Sequence, residues 1–199
     1  MEYIRDIAVA LSAVAVAYFA WLGLQTWRKE LTGKARFETA RNMMRAGFEL
    51  EANIARLRRV AMYAYEWADR IPQADETDSE SQVLNQWHAF TKRGNLVIDS
   101  LNKVIEAKWE AEILFDDTAI QTVRDVVKSY RESYAELSSA VSEYFDARLQ
   151  EAKTGELLKE QEWLKQLHHE IHQTGEDKIS QKVSKATEKL SSVAKQYVK

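Results

Sequence analysis

Three of the four histidines in this chain fall within one five-residue segment, and their side chains are the first candidates for chemistry. His168 and His172 are four residues apart, which places both on one face of a helix, where two imidazoles can hold a metal ion between them. The spacing is not that of an HExxH zinc motif, and no other segment offers a matching pair of ligands. An exposed polar helix face explains the pattern as well. We therefore predict no metal centre and no cofactor, with His168 and His172 as the one candidate pair.

The other motifs of familiar enzymes are absent from the sequence. There is no cysteine, and therefore no disulfide, thiolate zinc site or thiol nucleophile. The chain contains no GxxxxGKS/T, GxGxxG or GxSxG motif, and no arginine precedes a histidine with four to six residues between them, as in HEPN ribonucleases. Most carboxylates stand at helical salt-bridge spacing rather than as isolated pairs. We predict a protein that is not an enzyme.

The composition indicates which elements position these residues. Charged residues make up 30% of the chain, and there are only one proline and six glycines. This is typical of long helices and disfavours a β-sandwich or barrel, which needs frequent turns. The net charge of −3 gives no general attraction to nucleic acid, so a nucleic-acid partner is not expected. The predicted fold class is all-α.

One apolar stretch dominates the N-terminal region. Ile7–Leu24, IAVALSAVAVAYFAWLGL, contains no charged residue. As a helix it rises about 27 Å, close to the roughly 30 Å thickness of a bilayer core. We predict a transmembrane anchor over residues 1–30 and a helical bundle over residues 31–199, with a loop at 72–82. The two alternatives for the stretch are a cleaved signal peptide and a buried core helix.

Positive charge follows the apolar stretch rather than preceding it. Before the stretch only Arg5 is basic, and it lies beside Asp6. The positive-inside rule therefore places the C-terminal bundle in the cytoplasm and the N-terminus outside, in a bacterial inner membrane with membrane lipids as partners. The basic residues predicted to lie at the membrane interface are Arg28, Lys29, Lys34, Arg36, Arg41 and Arg45.

The apolar stretch also carries small residues at three- and four-residue spacing. Such a face allows helices to approach closely and favours association in lipid. We predict a homo-oligomer formed through this face, although alanine also simply favours a helix. The residues of the predicted self-association face are Ala10, Ala13, Ala17, Ala20 and Trp21.

Five helical segments are predicted after the stretch. The first, 34–71, can continue directly from the span and is expected to end at Pro72, and Asp116 or Asp117 is expected to cap a later helix. The other four segments are 83–115, 118–152, 156–174 and 177–199. The last segment is expected either to close the bundle or to cross to a neighbouring copy.

The helix predicted over residues 118–152 has the most regular apolar pattern in the chain. Its apolar residues alternate by three and four, as in a coiled-coil seam. We predict that this seam packs within the bundle or between copies. Its central members are Val127, Tyr130, Tyr134, Leu137, Val141 and Tyr144.

The segment WLGLQTWRKELTGKARFETARNMMRA, residues 21–46, resembles the juxtamembrane stretch of uncharacterised bacterial single-pass proteins. More loosely, the plan of one N-terminal span and a helical domain is similar to the small membrane protein that accompanies the RNA nuclease of type VI-B CRISPR systems. That resemblance implies assembly into a ring-shaped membrane pore in phage defence. The resemblance is one of overall plan rather than of a motif.

The functional expectation follows from these observations. We predict a non-enzymatic, membrane-anchored helical protein that self-assembles, as a pore-type or membrane-perturbing effector or accessory in bacterial phage defence. The alternative is a membrane tether that recruits a cytosolic protein partner through its helical bundle. Because one span cannot enclose an aqueous path, pore formation requires several copies.

Overall fold

The computed structural model describes the backbone of residues 2–155, 161–172 and 177–198. Within these ranges, the side chains of residues 2, 4–6, 8–10 and 161 are not described. All regular elements in the described ranges are helical, which confirms the all-α fold class and the helical bundle.

Five α-helices and one 3₁₀ turn follow one another along the described chain. They are α1 (Glu2–Leu57), the 3₁₀ turn (Ala64–Glu66), α2 (Asp78–Leu114), α3 (Asp117–Thr154), α4 (Gln161–Ile171) and α5 (Lys178–Lys195). The helices predicted from residue 83 onward correspond in order to α2, α3, α4 and α5. Residues 156–160, 173 and 174 of the predicted helix 156–174 lie outside the described residues, as do residues 175 and 176 after it and residue 199 of the predicted C-terminal segment.

Four of these helices form an antiparallel bundle. α1 packs on α2 and α5, and α3 packs on the same two helices from the opposite side. Thr39 contacts Glu110, whereas Asn53 donates to the Leu96 carbonyl, so α1 and α2 run in opposite directions. α4 lies in the connection between α3 and α5 and packs on α3. α5 thus closes the bundle within one chain.

The first bundle helix ends earlier than predicted. α1 runs without interruption from residue 2 to Leu57, so the apolar stretch and the first bundle helix are one helix. The predicted end at Ile71 is wrong. Up to Leu57 the buried face of α1 carries large aliphatic side chains. Ala61, Ala64 and Ala68 offer only methyl groups, and burying a methyl group contributes little free energy to folding. The segment after Leu57 is held instead by polar contacts to α2 and α5.

Local polar contacts set where the other helices begin and end. Thr77 and Glu80 form a capping box with reciprocal bonds of 3.2 and 2.9 Å, which starts α2 inside the segment predicted as a loop. Asp116 and Asp177 each accept, at 2.9 Å, the backbone N–H three residues on, at the starts of α3 and α5. Gly155 ends α3 with φ of 69°, a conformation that favours glycine.

The N-terminal part of α1 extends away from the bundle. Residues 11–34 are exposed without a break, and Thr39 is the first buried side chain in the described part of α1. Among the residues that the structure describes, no helix includes an apolar window long enough to cross a membrane. The stretch predicted to do so, Ile7–Leu24, includes residues 8–10, which lie outside the described side chains.

Candidate functional site

The extended part of α1 presents its side chains to the surroundings. Ala13, Ala17, Ala20 and Trp21 of the predicted self-association face are all exposed, whereas the side chain of Ala10 lies outside the described set. Aromatic rings cluster at the end nearer the bundle. The Tyr18 ring lies 6.0 Å from that of Phe19 and 6.3 Å from that of Trp21, measured between centroids.

The basic residues that follow the apolar stretch occupy two different environments. Arg28, Lys29 and Lys34 are exposed on the part of α1 outside the bundle. Arg36 donates to the carbonyl oxygen of Leu114 at 2.7 Å, which connects α1 to the end of α2. The structure places the remaining two, Arg41 and Arg45, on the exposed side of α1 where that helix already belongs to the bundle.

The seam of α3 packs inside the bundle of a single chain. Val127, Tyr130 and Leu137 are buried. The Tyr130 hydroxyl lies 2.9 Å from the Thr187 hydroxyl of α5, and burial raises the pKa of Tyr130 to about 12, against the opposing effect of that hydrogen bond. The half-buried members of the seam, packed against the same core, are Tyr134, Val141 and Tyr144.

The histidine pair lies at the junction of α4 with the bundle. The rings of His168 and His172 are 4.4 Å apart, and His172 is buried against Phe90 at a centroid distance of 5.6 Å. Burial, together with the charges of the neighbouring His168, Arg93 and Arg58, lowers the pKa of His172 to about 4, against the opposing effect of its hydrogen bond to the Arg58 backbone. A neutral imidazole in this place fills the core. The described residues contain no group of three metal-binding side chains.

Arg58, the first residue after α1, is buried and connects α1 to α4 and α5. Its guanidinium donates to both carboxylate oxygens of Asp177 and to the hydroxyl of Ser180, each at 2.8 Å. It also donates to the carbonyl oxygens of Glu170 and Ile171, at 2.8 and 3.2 Å. Burial alone would raise the pKa of Asp177, but hydrogen bonds from Arg58 and Ser180 hold it below its ordinary value.

A second buried arginine, Arg93 of α2, holds the start of the connection between α1 and α2. It donates to the two carboxylate oxygens of Glu66 at 2.8 and 2.7 Å. It also donates to the carbonyl oxygens of Arg59 at 2.9 Å and Ala61 at 2.7 Å. The hydrogen bond from Arg93 lowers the pKa of Glu66, against the opposing effect of burial. Because Arg93 donates to the carbonyl groups of Arg59 and Ala61, the segment that follows α1 satisfies these groups without helical hydrogen bonds.

A third arginine holds the end of the same connection. Arg70 donates to both carboxylate oxygens of Glu76 at 2.9 and 2.7 Å, and to the side chains of Asn85 and Ser81 at 2.6 and 2.8 Å. The hydrogen bond from Arg70 lowers the pKa of Glu76 to about 2. The connection is therefore ordered by side chains rather than by regular secondary structure.

The outer side of this connection exposes aromatic and basic side chains. Tyr63 and Tyr65 are 58% and 65% exposed, and their rings stack at 5.7 Å with an interplanar angle of 9°. Arg56, Arg59 and Val60 are exposed beside them along the chain. We call these five residues the tip surface. The sequence pattern predicts a helix for all five, which is confirmed for Arg56 at the end of α1 and wrong for the other four. The arginine that holds those four in place comes from α2 and leaves no local pattern.

The titratable groups do not form a recognisable catalytic arrangement in the described residues. Every carboxylate there with a shifted pKa has it lowered, and in each case ion pairs or capping N–H groups contribute to the shift. A general acid requires the opposite shift. These carboxylates act as ion-pair partners and helix caps.

Comparison with known proteins returned no family model, no curated protein and no solved structure that matches this chain.

Proposed function

We propose that this chain is a non-enzymatic membrane tether, with the N-terminal part of α1 in a bacterial inner membrane and the bundle on the cytoplasmic side. The observation that supports this most directly is the exposure of large apolar side chains. Leu11, Val16 and Phe19 are 66%, 69% and 69% exposed. A contiguous apolar surface of this kind marks contact with lipid or with protein.

The apolar side chains surround α1 rather than forming one stripe. Successive residues of an α-helix turn by about 100°, so the exposed apolar side chains lie no more than about 80° apart all the way round the axis. They are Leu11, Phe19, Val16, Leu24 and Val14. A helix that packs on a single neighbour has one apolar face, whereas a helix that is apolar all round is enclosed. The distribution therefore favours a lipid environment over docking on one partner.

The dimensions of the segment suit a bilayer. Residues 7–24 rise about 27 Å, and a bilayer adapts to a stretch slightly shorter than its core at a modest free-energy cost. Tyr18, Trp21 and Trp27 lie at the bundle end, where aromatic side chains favour the membrane interface. Arg28 and Lys29 follow within about 8 Å of Leu24 along the helix, which is within reach of lipid headgroups.

The more distant basic residues have a different environment in this proposal. Arg41 and Arg45 lie about 25 and 32 Å beyond Leu24 along the helix axis. This is too far for contact with headgroups if α1 stands upright, so the proposal limits the interface group to Arg28, Lys29 and Lys34. Because α1 is one helix, the bundle is held close to the membrane in a defined orientation rather than on a flexible linker.

Self-assembly is the second candidate function, including a pore-type effector of phage defence. It is favoured by the exposed small-residue face of Ala13, Ala17 and Ala20, since small residues let helices associate closely in lipid. The α3 seam gives it no further support, because that seam packs within one chain. We therefore place recruitment of a cytosolic protein first.

The topology is testable because the chain has no cysteine. Single cysteines introduced as Tyr3→Cys and Asp75→Cys are to be treated with a membrane-impermeant maleimide in intact and in permeabilised cells. We expect Tyr3→Cys to react in intact cells and Asp75→Cys only after permeabilisation. Labelling of both positions from the same side, or release of the chain by carbonate washing, would contradict the proposal.

A matched pair of charge insertions tests the membrane segment itself. Val14→Arg introduces a charge in the middle of the apolar stretch, where it is unfavourable by about 3 kcal/mol. We expect this variant to move to the soluble fraction. Ala35→Arg, which lies on α1 beyond the stretch, is the control and should remain with the membrane.

A further inference from the structure

We infer that the tip surface (Arg56, Arg59, Val60, Tyr63 and Tyr65) is the docking site for an acidic segment of a partner protein, in which carboxylates flank an apolar side chain. The inference rests on the proposed function, since it names the surface by which an anchored bundle recruits its partner. It depends on four properties of the surface: its position, its rigidity, its side chains and its charge.

The connection that carries the tip surface, apart from Arg56 at the end of α1, is longer than its helices require. α1 and α2 are antiparallel neighbours, and about two to eight residues usually suffice to join such helices. Here residues 58–77 separate them, with only the short 3₁₀ turn as regular structure. Long ordered connections often carry binding residues, because loops tolerate special side chains while the scaffold positions them. The surface also lies at the far end of α1 from the proposed membrane segment, where a cytosolic protein has free access.

Buried ion pairs make this connection rigid. Arg93 with Glu66 and Arg70 with Glu76 hold it at two points. A buried ion pair adds little net stability compared with apolar packing, but it can enforce one conformation. A loop that is ordered before binding loses little conformational entropy when its partner arrives. Exposed tyrosines on such a loop are therefore favourable contacts for a partner.

The side chains of the tip surface are those that dominate protein interfaces. Tyrosine and arginine supply most binding hot spots, and each combines a large contact area with a polar group. Tyr63 and Tyr65 present a stacked pair of rings, with the Tyr63 N–H bonded at 3.0 Å to Glu66. Val60, 57% exposed, extends the apolar area.

The charge of the surface selects an acidic partner. In the described contacts, neither the Arg56 nor the Arg59 guanidinium has a carboxylate within 4.0 Å, although the charge of Arg56 helps to lower the pKa of Glu66. The backbone carbonyl oxygens of both residues accept hydrogen bonds from Arg93. Because Arg93 also donates to Glu66, the carboxylate of Glu66 is already paired. A free guanidinium binds a carboxylate through two parallel hydrogen bonds. The chain's net charge of −3 disfavours a nucleic-acid phosphate backbone as the occupant.

The test is a selection of short random peptides, displayed on phage, against the purified full chain in detergent micelles. We expect the enriched peptides to carry aspartate or glutamate on both sides of an apolar residue. Synthetic copies should bind the wild-type chain and lose affinity by about tenfold or more with Tyr63→Ala/Tyr65→Ala. Arg56→Glu/Arg59→Glu should lose binding to acidic peptides and gain binding to their lysine-substituted versions.

Two exposed aromatic residues elsewhere provide the matched control. Phe48→Ala/Trp109→Ala removes comparable surface from α1 and α2 and should leave peptide affinity unchanged. Circular dichroism of each variant establishes that the fold is retained. The lysine-substituted peptides provide a gain of binding that an unfolded variant cannot produce.

Several outcomes would overturn the inference. The first two are the absence of enriched peptides and the enrichment of neutral or basic peptides. The other two are a loss of peptide affinity in the control variant as large as in Tyr63→Ala/Tyr65→Ala, and tighter binding of a single-stranded oligonucleotide than of any peptide. Because the assay uses micelles, its result does not depend on membrane topology. If the peptide selection fails but the cysteine labelling gives the expected topology, the membrane tether stands and this docking site is excluded. If the peptides bind as expected but the labelling contradicts the topology, the docking site stands and the membrane anchor is excluded.

Discussion

The guanidinium of Arg93 and the carboxylate of Glu66 are joined by two hydrogen bonds of 2.8 and 2.7 Å, with both side chains buried. The two residues are 27 positions apart, one on α2 and the other in the 3₁₀ turn of the connection. This pair fixes the tip surface to the bundle. It also explains why α1 ends at Leu57, since Arg93 takes up carbonyl groups that a longer helix would use.

Breaking this pair should destabilise the bundle strongly. Glu66→Gln leaves the Arg93 charge buried without a counter-charge, and removal of one partner of a buried pair costs about 3 to 5 kcal/mol. We expect a lower urea midpoint for the full chain in mild detergent, followed by circular dichroism. Glu49→Gln, which breaks an exposed pair with Lys103, is the control and should have a much smaller effect. Equal effects of the two substitutions would show that the buried pair has no special role.

The buried imidazole of His172 should make stability depend on pH. Its pKa is about 4 in the fold, below the ordinary value of 6.5, so the unfolded chain binds the proton more readily. The contribution of the neutral imidazole is therefore complete above pH 6.5 and is lost as the pH falls through 4. Between pH 7 and pH 5 the loss should be about 2 kcal/mol.

The His172→Asn variant isolates this effect. Carboxylates with lowered pKa also lose their contributions in acid, so the comparison must be the difference between wild type and variant in urea denaturation. We expect this difference to change with pH between 7 and 5. A constant difference over this range would mean that His172 does not titrate as described.

Two glycines should respond to alanine in opposite directions. A Cβ at Gly47 would lie 2.7 Å from Cδ2 of the fully buried Leu190, so Gly47→Ala should destabilise the α1–α5 contact by about 1 kcal/mol net of the helix-propensity gain. A Cβ at Gly94 would lie 3.6 Å from the Tyr134 hydroxyl, an ordinary contact. Gly94→Ala should therefore stabilise the chain by about 1 kcal/mol. Thermal unfolding of both variants checks the signs, and a stabilising Gly47→Ala would show that Leu190 moves freely.

The small-residue face of α1 can be tested by a matched pair of substitutions. Ala17→Leu enlarges the predicted self-association face, whereas Ala15→Leu makes the same change on nearly the opposite side of the helix. If copies associate through this face, energy transfer between labelled chains in lipid vesicles should fall for Ala17→Leu and remain for Ala15→Leu. Equal transfer in all three chains, or none in the wild type, would remove self-assembly as a function.

The helical class and most helix boundaries could be predicted from local sequence. The 3-4 spacing in α3 matches its buried face, and Asp116 caps that helix because a carboxylate accepts free N–H groups wherever it precedes a helix. Gly155 ends α3 for an equally local reason, its positive φ. These features depend on residues within one or two turns of each other, so no knowledge of the tertiary structure is needed.

By itself, then, the sequence determined an all-α chain with an uncharged N-terminal stretch, because apolar periodicity and capping act over a few residues. The tertiary structure alone decided that Arg58 and Arg93 would be buried, that α1 would end at Leu57, and that Tyr63 and Tyr65 would face outward. The reason is physical: a buried arginine needs several acceptors, and here they come from parts of the chain as far as 122 residues away. Such long-range satisfaction of charge leaves no periodic pattern in the sequence.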